Sequence, residues 1–342
     1  MSARPNLRVV GREQEYGWSN KDSRTPLHNA LLRNIQRRNT ILDAIFYDVG
    51  CVTKHEIPSL VFWLAQEGAI LIVPPTGQGT LSVSNGKQEF FDKGGREVAA
   101  LAVAGVGSSA LGAAAFARNI ADALGAPVAA VISGYGMSDV LTEALGGFFW
   151  FGALNSIRHT LEGLDRLTNA AESEAALTAT ENLAWTRLSK DTATLIDLLS
   201  DRDFKPPYLI GHSKGNLVIS EALYALENMG DVKELAKRSR IITISAKIGM
   251  PTAFRQVLDI MGQWDGFGAL NSRPDIPADY IVPGAGHSTN PDFPCGMGIR
   301  VTNVLREALP LFDLPRPRRH RPVLSPYMDL PQKAACANLR IT

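Results

Sequence analysis

Gly211-His212-Ser213-Lys214-Gly215 matches the pattern G-x-S-x-G. A serine hydroxyl is a weak nucleophile at neutral pH unless a base takes its proton. The pattern therefore carries chemistry only when a strand leads in, a helix leads out and a histidine can reach the hydroxyl. Tyr208-Leu-Ile210 reads as a short apolar strand, and Leu217-Val-Ile219, Ala222, Leu223 and Leu226 mark a helix from Asn216 to Met229. Flanking glycines suit a sharp turn that lifts the hydroxyl into a cleft. Read as structure alone, the same serine would be a helix N-cap.

Six histidines are available as the base. His28 and His55 lie in polar N-terminal sequence, His159 in a helical pattern and His320 in a basic tail. His212 is expected to project away from its neighbouring serine. His287 differs, standing in Pro283-Gly-Ala-Gly-His-Ser-Thr-Asn290 after the strand Tyr280-Ile-Val282. A histidine on such a loop after a last strand can reach a serine after an earlier one.

The elements that must hold these residues form a strand–helix rhythm. Ala69–Val73, closed by Pro74-Pro75, reads as a strand, and Leu81–Ser84 as a short alternating one. Val98–Ala104 reads as a buried strand, Ala110–Leu124 as an alanine-rich helix with Arg118 and Asp122 on one face, and Pro127–Ile132 as the next strand. Strand, helix, strand is the unit of a parallel sheet. The rhythm pauses between Gly134 and Phe204, with a helical pattern from about Ala175 to Leu199. It resumes with the strand Ile241–Ala246, a helix around Thr252–Met261, and a last helix near Val301–Leu309. Phe-Gly-Ala-Leu-Asn-Ser occurs at 151–156 and again at 267–272 without matching flanks.

On the elbow, the Gly-Ala-Gly-His287 turn and this rhythm, about 200 residues in all, the chain resembles the α/β-hydrolase superfamily and its lipase and esterase branch. The resemblance implies an α/β-hydrolase fold: a mostly parallel central sheet flanked by helices, with an inserted helical cap. The expected organisation is an N-terminal arm and helical segment (1–65), a hydrolase domain (66–314) with its cap at about 134–204, and a C-terminal tail (315–342). The order Ser, acid, His requires an acid between Ser213 and His287. Asp275, in Asn271-Ser-Arg-Pro-Asp-Ile-Pro277, looks like the family's acid loop, with Phe267–Leu270 as the strand before it. Asp265, the alternative, has the more usual spacing of 22 residues to His287 but follows no obvious strand. Asp275 is favoured. The resemblance also places oxyanion N–H donors at Lys214 and at Val106 or Gly107. In the cap, Phe148, Phe149, Trp150 and Phe151 would line an apolar acyl site or simply anchor the cap to the core.

Composition narrows the field. Of 342 residues 45% are hydrophobic and 20% charged, the balance of a globular chain. A net charge of +1 supplies no field to draw in nucleic acid or an anionic membrane. Cys51, Cys295 and Cys336 offer neither a disulfide framework nor a zinc site. The N-terminus lacks a signal peptide's apolar core, and the uncharged run Val98–Ala117 is broken by a glycine turn, so a cytoplasmic chain without a transmembrane segment is expected. The Pro- and Arg-rich stretch after Leu314 reads as a solvated tail. The expected function is hydrolysis of a small-molecule or lipid-like carboxylic ester by Ser213, His287 and Asp275, with no cofactor and no metal. Two alternatives stand beside it. Gly105-Val-Gly107-Ser-Ser-Ala110 fits the dinucleotide fingerprint of a Rossmann-type oxidoreductase, although the next strand ends without the required acid and Asp139 arrives late. A non-catalytic ligand-binding member of the fold is the other.

Overall fold

The computed structural model describes residues 42–314 except 62, 65, 106–107, 134–188 and 231. Short apolar runs set its framework. They form eight strands: β1 (Ile70–Val73), β2 (Ser82–Ser84), β3 (Ala100–Val103), β4 (Val128–Val131), β5 (Tyr208–His212), β6 (Arg240–Ile244), β7 (Val257–Gly262) and β8 (Tyr280–Val282). They make one mixed sheet in the order β2-β1-β4-β3-β5-β6-β7-β8. β1 runs antiparallel to both β2 and β4, and every other pairing is parallel.

Among the described helices are α1 (Ile57–Val61), α2 (Lys87–Asp92), α3 (Ala110–Leu124), α4 (Lys190–Leu199), α5 (Lys214–Met229), α6 (Val232–Arg238), α7 (Gly266–Leu270) and α8 (Val301–Ala308). Alternate side chains of the buried strands feed two cores. Ala100 and Ala102 join Ile242, Leu258 and α3 and α8 on one face. Leu101 and Val103 join Leu209, Ile241 and α2, α4, α5 and α6 on the other. Period-two alternation of strand side chains thus builds a three-layer α/β architecture. Alanines at 113, 114, 117 and 121 are buried, which lets α3 lie close to the sheet.

Tyr47, Val52 and Leu60 belong to the core under α3. Residues 42–61 therefore contribute to this core. A buried ion pair ties the segment down. Glu56 accepts from Arg118 Nη2 of α3 at 2.5 Å and from the backbone N–H of Leu81 at 3.0 Å, all out of solvent. Asp122, one helical turn on, accepts from the Thr76 N–H and hydroxyl.

Two local expectations are corrected. The helix anticipated at Thr252–Met261 is strand β7 over Val257–Gly262, buried along its whole length. Such a strand shows no alternation, because both of its faces are covered. The strand anticipated at Phe267–Leu270 is the short helix α7. Asp265 caps it by accepting the Gly268 N–H at 2.6 Å.

Candidate active site

Parallel pairing puts the C-terminal ends of β3, β5, β6, β7 and β8 along one edge of the sheet. Val103 faces Gly211, Gly211 faces Thr243, and Ile260 faces Tyr280. The loops leaving that edge carry Gly105, Ser213, Ser245, Asp265 and His287.

Ser213 joins β5 to α5 with φ 53° and ψ −120°, and its side chain makes no cap hydrogen bond to the helix. It is thus not an N-cap. A non-glycine residue at positive φ costs about 1–3 kcal/mol and persists only where the surroundings impose it. The surroundings here are tight. A Cβ at Gly211 would meet Asn216 Oδ1 at 2.3 Å, and one at Gly215 would lie 2.1 Å from the Val103 carbonyl oxygen. Asn216 pins the turn to β6 by donating from Nδ2 to the carbonyls of Ile244 and Ala246.

The hydroxyl that this turn presents is 3.1 Å from His287 Nε2. His287 Nδ1 lies 2.9 and 3.1 Å from the two carboxylate oxygens of Asp265. Asp265's side chain is fully buried and that of His287 is 13% exposed, so the imidazole has one open side. Phe267 and Phe46 set their rings edge-on against His287, at 4.7 and 5.9 Å between centroids. A carboxylate fixes Nδ1 as the protonated nitrogen, and Nε2 is then free to accept the serine proton.

Asp275, the favoured acid, does not take part. Its carboxylate is held by Arg273 at 3.0 and 2.6 Å in an exposed pair. That guanidinium keeps its carboxyl below the ordinary range. Asp265 occupies the position instead because β7 ends at Gly262, three residues before it.

Lys214 is the first residue of the 16-residue helix α5, so its backbone N–H belongs to the positive end of that helix. Val106, Gly107 and Phe148, Phe149, Trp150 and Phe151 lie outside the described residues. Beside Ser213 is a cavity of about 20 Å³, lined by Lys214, Leu217, Ala246, Ile248, Phe267 and Asn271. Phe267 and Asn271 come from the second copy of the repeated hexapeptide. The same copy contributes Ser272, whose hydroxyl accepts the Lys247 N–H at 2.8 Å.

Comparison of the chain with protein-family models, curated proteins and solved structures finds no match. Among the described residues, no group of three or more His, Cys, Asp and Glu could hold a metal ion. No described helix is long and apolar enough to cross a membrane.

Three residues at this edge lie outside the site candidates that the sequence suggests. His212 is fully buried, with Nδ1 2.9 Å from the Tyr47 hydroxyl and Nε2 3.0 Å from the His287 carbonyl. Burial, and then the neighbouring His287, push its pKa down to about 3, so the ring is neutral. A carbonyl only accepts, so Nε2 bears the hydrogen and Nδ1 accepts from Tyr47. Asp43 lies at the N-terminus of α3 and accepts from the Ser109 N–H at 3.1 Å and the Ser109 hydroxyl at 2.5 Å. Burial raises its pKa to about 7. The place where a dinucleotide phosphate would sit, at the start of the helix after Gly105–Ala110, is thus filled by this chain's own carboxyl group.

Proposed function

We propose that the chain is a serine hydrolase that cleaves carboxylic esters, built on the α/β-hydrolase plan. The observation that carries the reading is the relay Ser213 Oγ to His287 Nε2 at 3.1 Å and His287 Nδ1 to Asp265 at 2.9 Å, with the serine on a strained strand-to-helix turn. A structural serine needs neither the strain nor the base.

In this reading Ser213 Oγ attacks the ester carbonyl while His287 Nε2 takes its proton. The buried Asp265 carboxylate faces the imidazolium that forms, so the charge created in the step has a partner already in place. The carbonyl oxygen becomes negative against the Lys214 N–H at the head of α5, with Val106 or Gly107 expected to add the second donor. Collapse of this intermediate returns the proton from His287 to the departing alkoxide and leaves an acyl group on Ser213. Water, deprotonated by the same imidazole, then releases the acid and restores the hydroxyl. The cavity beside Ser213 is lined mainly by apolar side chains, which suits an apolar acyl group, and the ester series below reads its preferred length.

A fluorophosphonate probe together with p-nitrophenyl esters of two to twelve acyl carbons tests the proposal. Wild-type protein should label and turn over, and Ser213→Ala should do neither. Folded wild-type protein that neither labels nor hydrolyses any of these esters would refute it.

A further inference from the structure

The two loops that meet at Ser213 are both fastened to residues 43–47, a segment 165 positions or more before the nucleophile. The Tyr47 hydroxyl accepts the Gly105 N–H at 2.6 Å and donates to His212 Nδ1 at 2.9 Å. His212 Nε2–H continues the chain to the backbone carbonyl of His287 at 3.0 Å, and the Ser245 hydroxyl reaches the same carbonyl at 3.4 Å. A second row of bonds runs alongside. Asn290 Nδ2 donates to the Ala44 carbonyl at 2.7 Å and the Ser288 hydroxyl to Ile45 at 2.8 Å. The Thr289 hydroxyl and N–H donate to the Phe46 carbonyl at 2.7 and 2.9 Å. At the other end Asp43 holds Ser109, which follows Gly105 on the loop after β3. The Ser133 hydroxyl lies 3.2 and 3.1 Å from the Ala104 and Gly105 carbonyls of that loop, to which it donates.

We propose that residues 43–47 are a brace for the reaction centre, with Tyr47 and His212 as positioning residues that set the loop after β3 and the backbone of His287 against Ser213. The proposal rests on the hydrolase reading above. Neither residue touches the reacting atoms. Their work is geometric: one hydroxyl spans a peptide N–H on the oxyanion side and an imidazole on the nucleophile strand, and that imidazole spans on to the base. Each atom of the relay has one role, because Gly105 N–H can only donate and the His287 carbonyl can only accept. The tautomer of His212 is thereby set, and Tyr47 must donate towards it. Burial pushes the Tyr47 hydroxyl pKa upward, so the donor stays in place. Displacing a base or an oxyanion donor by about 1 Å costs on the order of a hundredfold in rate. The binding of a small ester to the cavity beside Ser213 involves none of these groups, so the loss belongs in kcat and not in KM.

The test uses the full chain with p-nitrophenyl acetate, active sites counted by burst titration and folding followed by thermal unfolding. Tyr47→Phe removes one oxygen atom; kcat should fall at least tenfold with KM within about threefold of wild type. His212→Asn should fall similarly, because its amide cannot reach the His287 carbonyl. His212→Gln, whose longer amide can, should recover part of the loss. The double variant Tyr47→Phe/His212→Asn should be no slower than the slower single, since the two act as one unit. A Tyr47→Phe protein with kcat within twofold of an active wild type overturns the brace and leaves the hydrolase reading standing. A wild type that neither hydrolyses esters nor labels overturns both. If Tyr47→Phe does not fold, the His212 variants decide: a kcat at least threefold lower in His212→Asn, partly recovered in His212→Gln, supports the brace, and a His212→Asn kcat within threefold of wild type overturns it.

Discussion

Asp265→Asn isolates the electrostatic part of the proposed mechanism. The substitution keeps the side-chain shape and can still accept the Gly268 N–H, now made at 2.6 Å. It removes the negative charge that stands 2.9 Å from His287 Nδ1. In the transition state the ring becomes positive, and the two charge centres are about 4 Å apart. At an effective dielectric of about 20 their attraction is about 4 kcal/mol, roughly a thousandfold in rate. The amide also offers Nδ1 a donor as readily as an acceptor, which favours the wrong tautomer, so the loss should reach roughly 10³- to 10⁴-fold in kcat/KM. Asp275→Asn is the matched comparison. It breaks only an exposed pair with Arg273, worth less than about 1 kcal/mol, and should leave activity within twofold. Steady-state hydrolysis of p-nitrophenyl acetate by both variants, each shown to be folded, decides the matter. Asp265→Asn within tenfold of wild type, or Asp275→Asn down by orders of magnitude, would refute the assignment of the acid and the electrostatic argument behind it.

Three further outcomes are expected. Ser213→Gly and Ser213→Ala both lose the hydroxyl, but only glycine relieves a φ of 53°; urea unfolding should find the glycine variant more stable by about 1 kcal/mol, and equal stabilities would mean that the turn stores no strain. Gly215→Ala forces a methyl group to within 2.1 Å of the Val103 carbonyl, where only backbone could give way; a loss of about 3 kcal/mol is expected, and a variant that melts with the wild type would show that β3 and α5 separate freely. Asp43 keeps its proton up to about pH 7 in the folded state, whereas in the unfolded chain the group ionises near its ordinary 3.8. Between these values the unfolded chain binds fewer protons, so this group's contribution to stability falls as pH rises from about 4 to 7, by up to about 4 kcal/mol. Asp43→Asn abolishes that slope, and unfolding free energies of the two proteins that ran parallel from pH 4 to 8 would contradict it.

Most of the sheet was legible, because six strands announce themselves as short apolar runs between turn residues. Val128–Val131 and Ile241–Ile244 are examples, and the glycine that ends α3 closes that helix at the residue expected, with φ 67° at Gly125. β7 was not legible. Val257-Leu-Asp-Ile-Met-Gly262 is buried throughout, and its one polar residue, Asp259, is satisfied inside the sheet by the Thr243 hydroxyl at 2.6 Å. A buried carboxylate in a strand without alternation carries the local pattern of a helix. Without β7 no strand precedes Asp265, and Asp275 is then the better match to the expected acid loop.

The site shows the same division between local and distant constraint. The candidate nucleophile is legible because its strained turn demands glycine at 211 and 215 within touching distance of Ser213, so the constraint is written beside the residue it serves. An acid in a relay demands only a carboxylate at the right point in space. Asp265 and Asp275 satisfy that demand equally until β7 fixes which loop leaves the active edge. Tyr47 and His212 are harder still. Their partners are a peptide N–H and a carbonyl, which every residue possesses, and the contact between them spans 165 positions. What could have drawn notice is the apolar run Ile41-Leu-Asp-Ala-Ile-Phe-Tyr47, in which Asp43 is the one acidic residue. A buried carboxyl group in such a run needs a hydrogen-bonding partner, and here the partner is Ser109 at the head of α3, after the loop that follows β3.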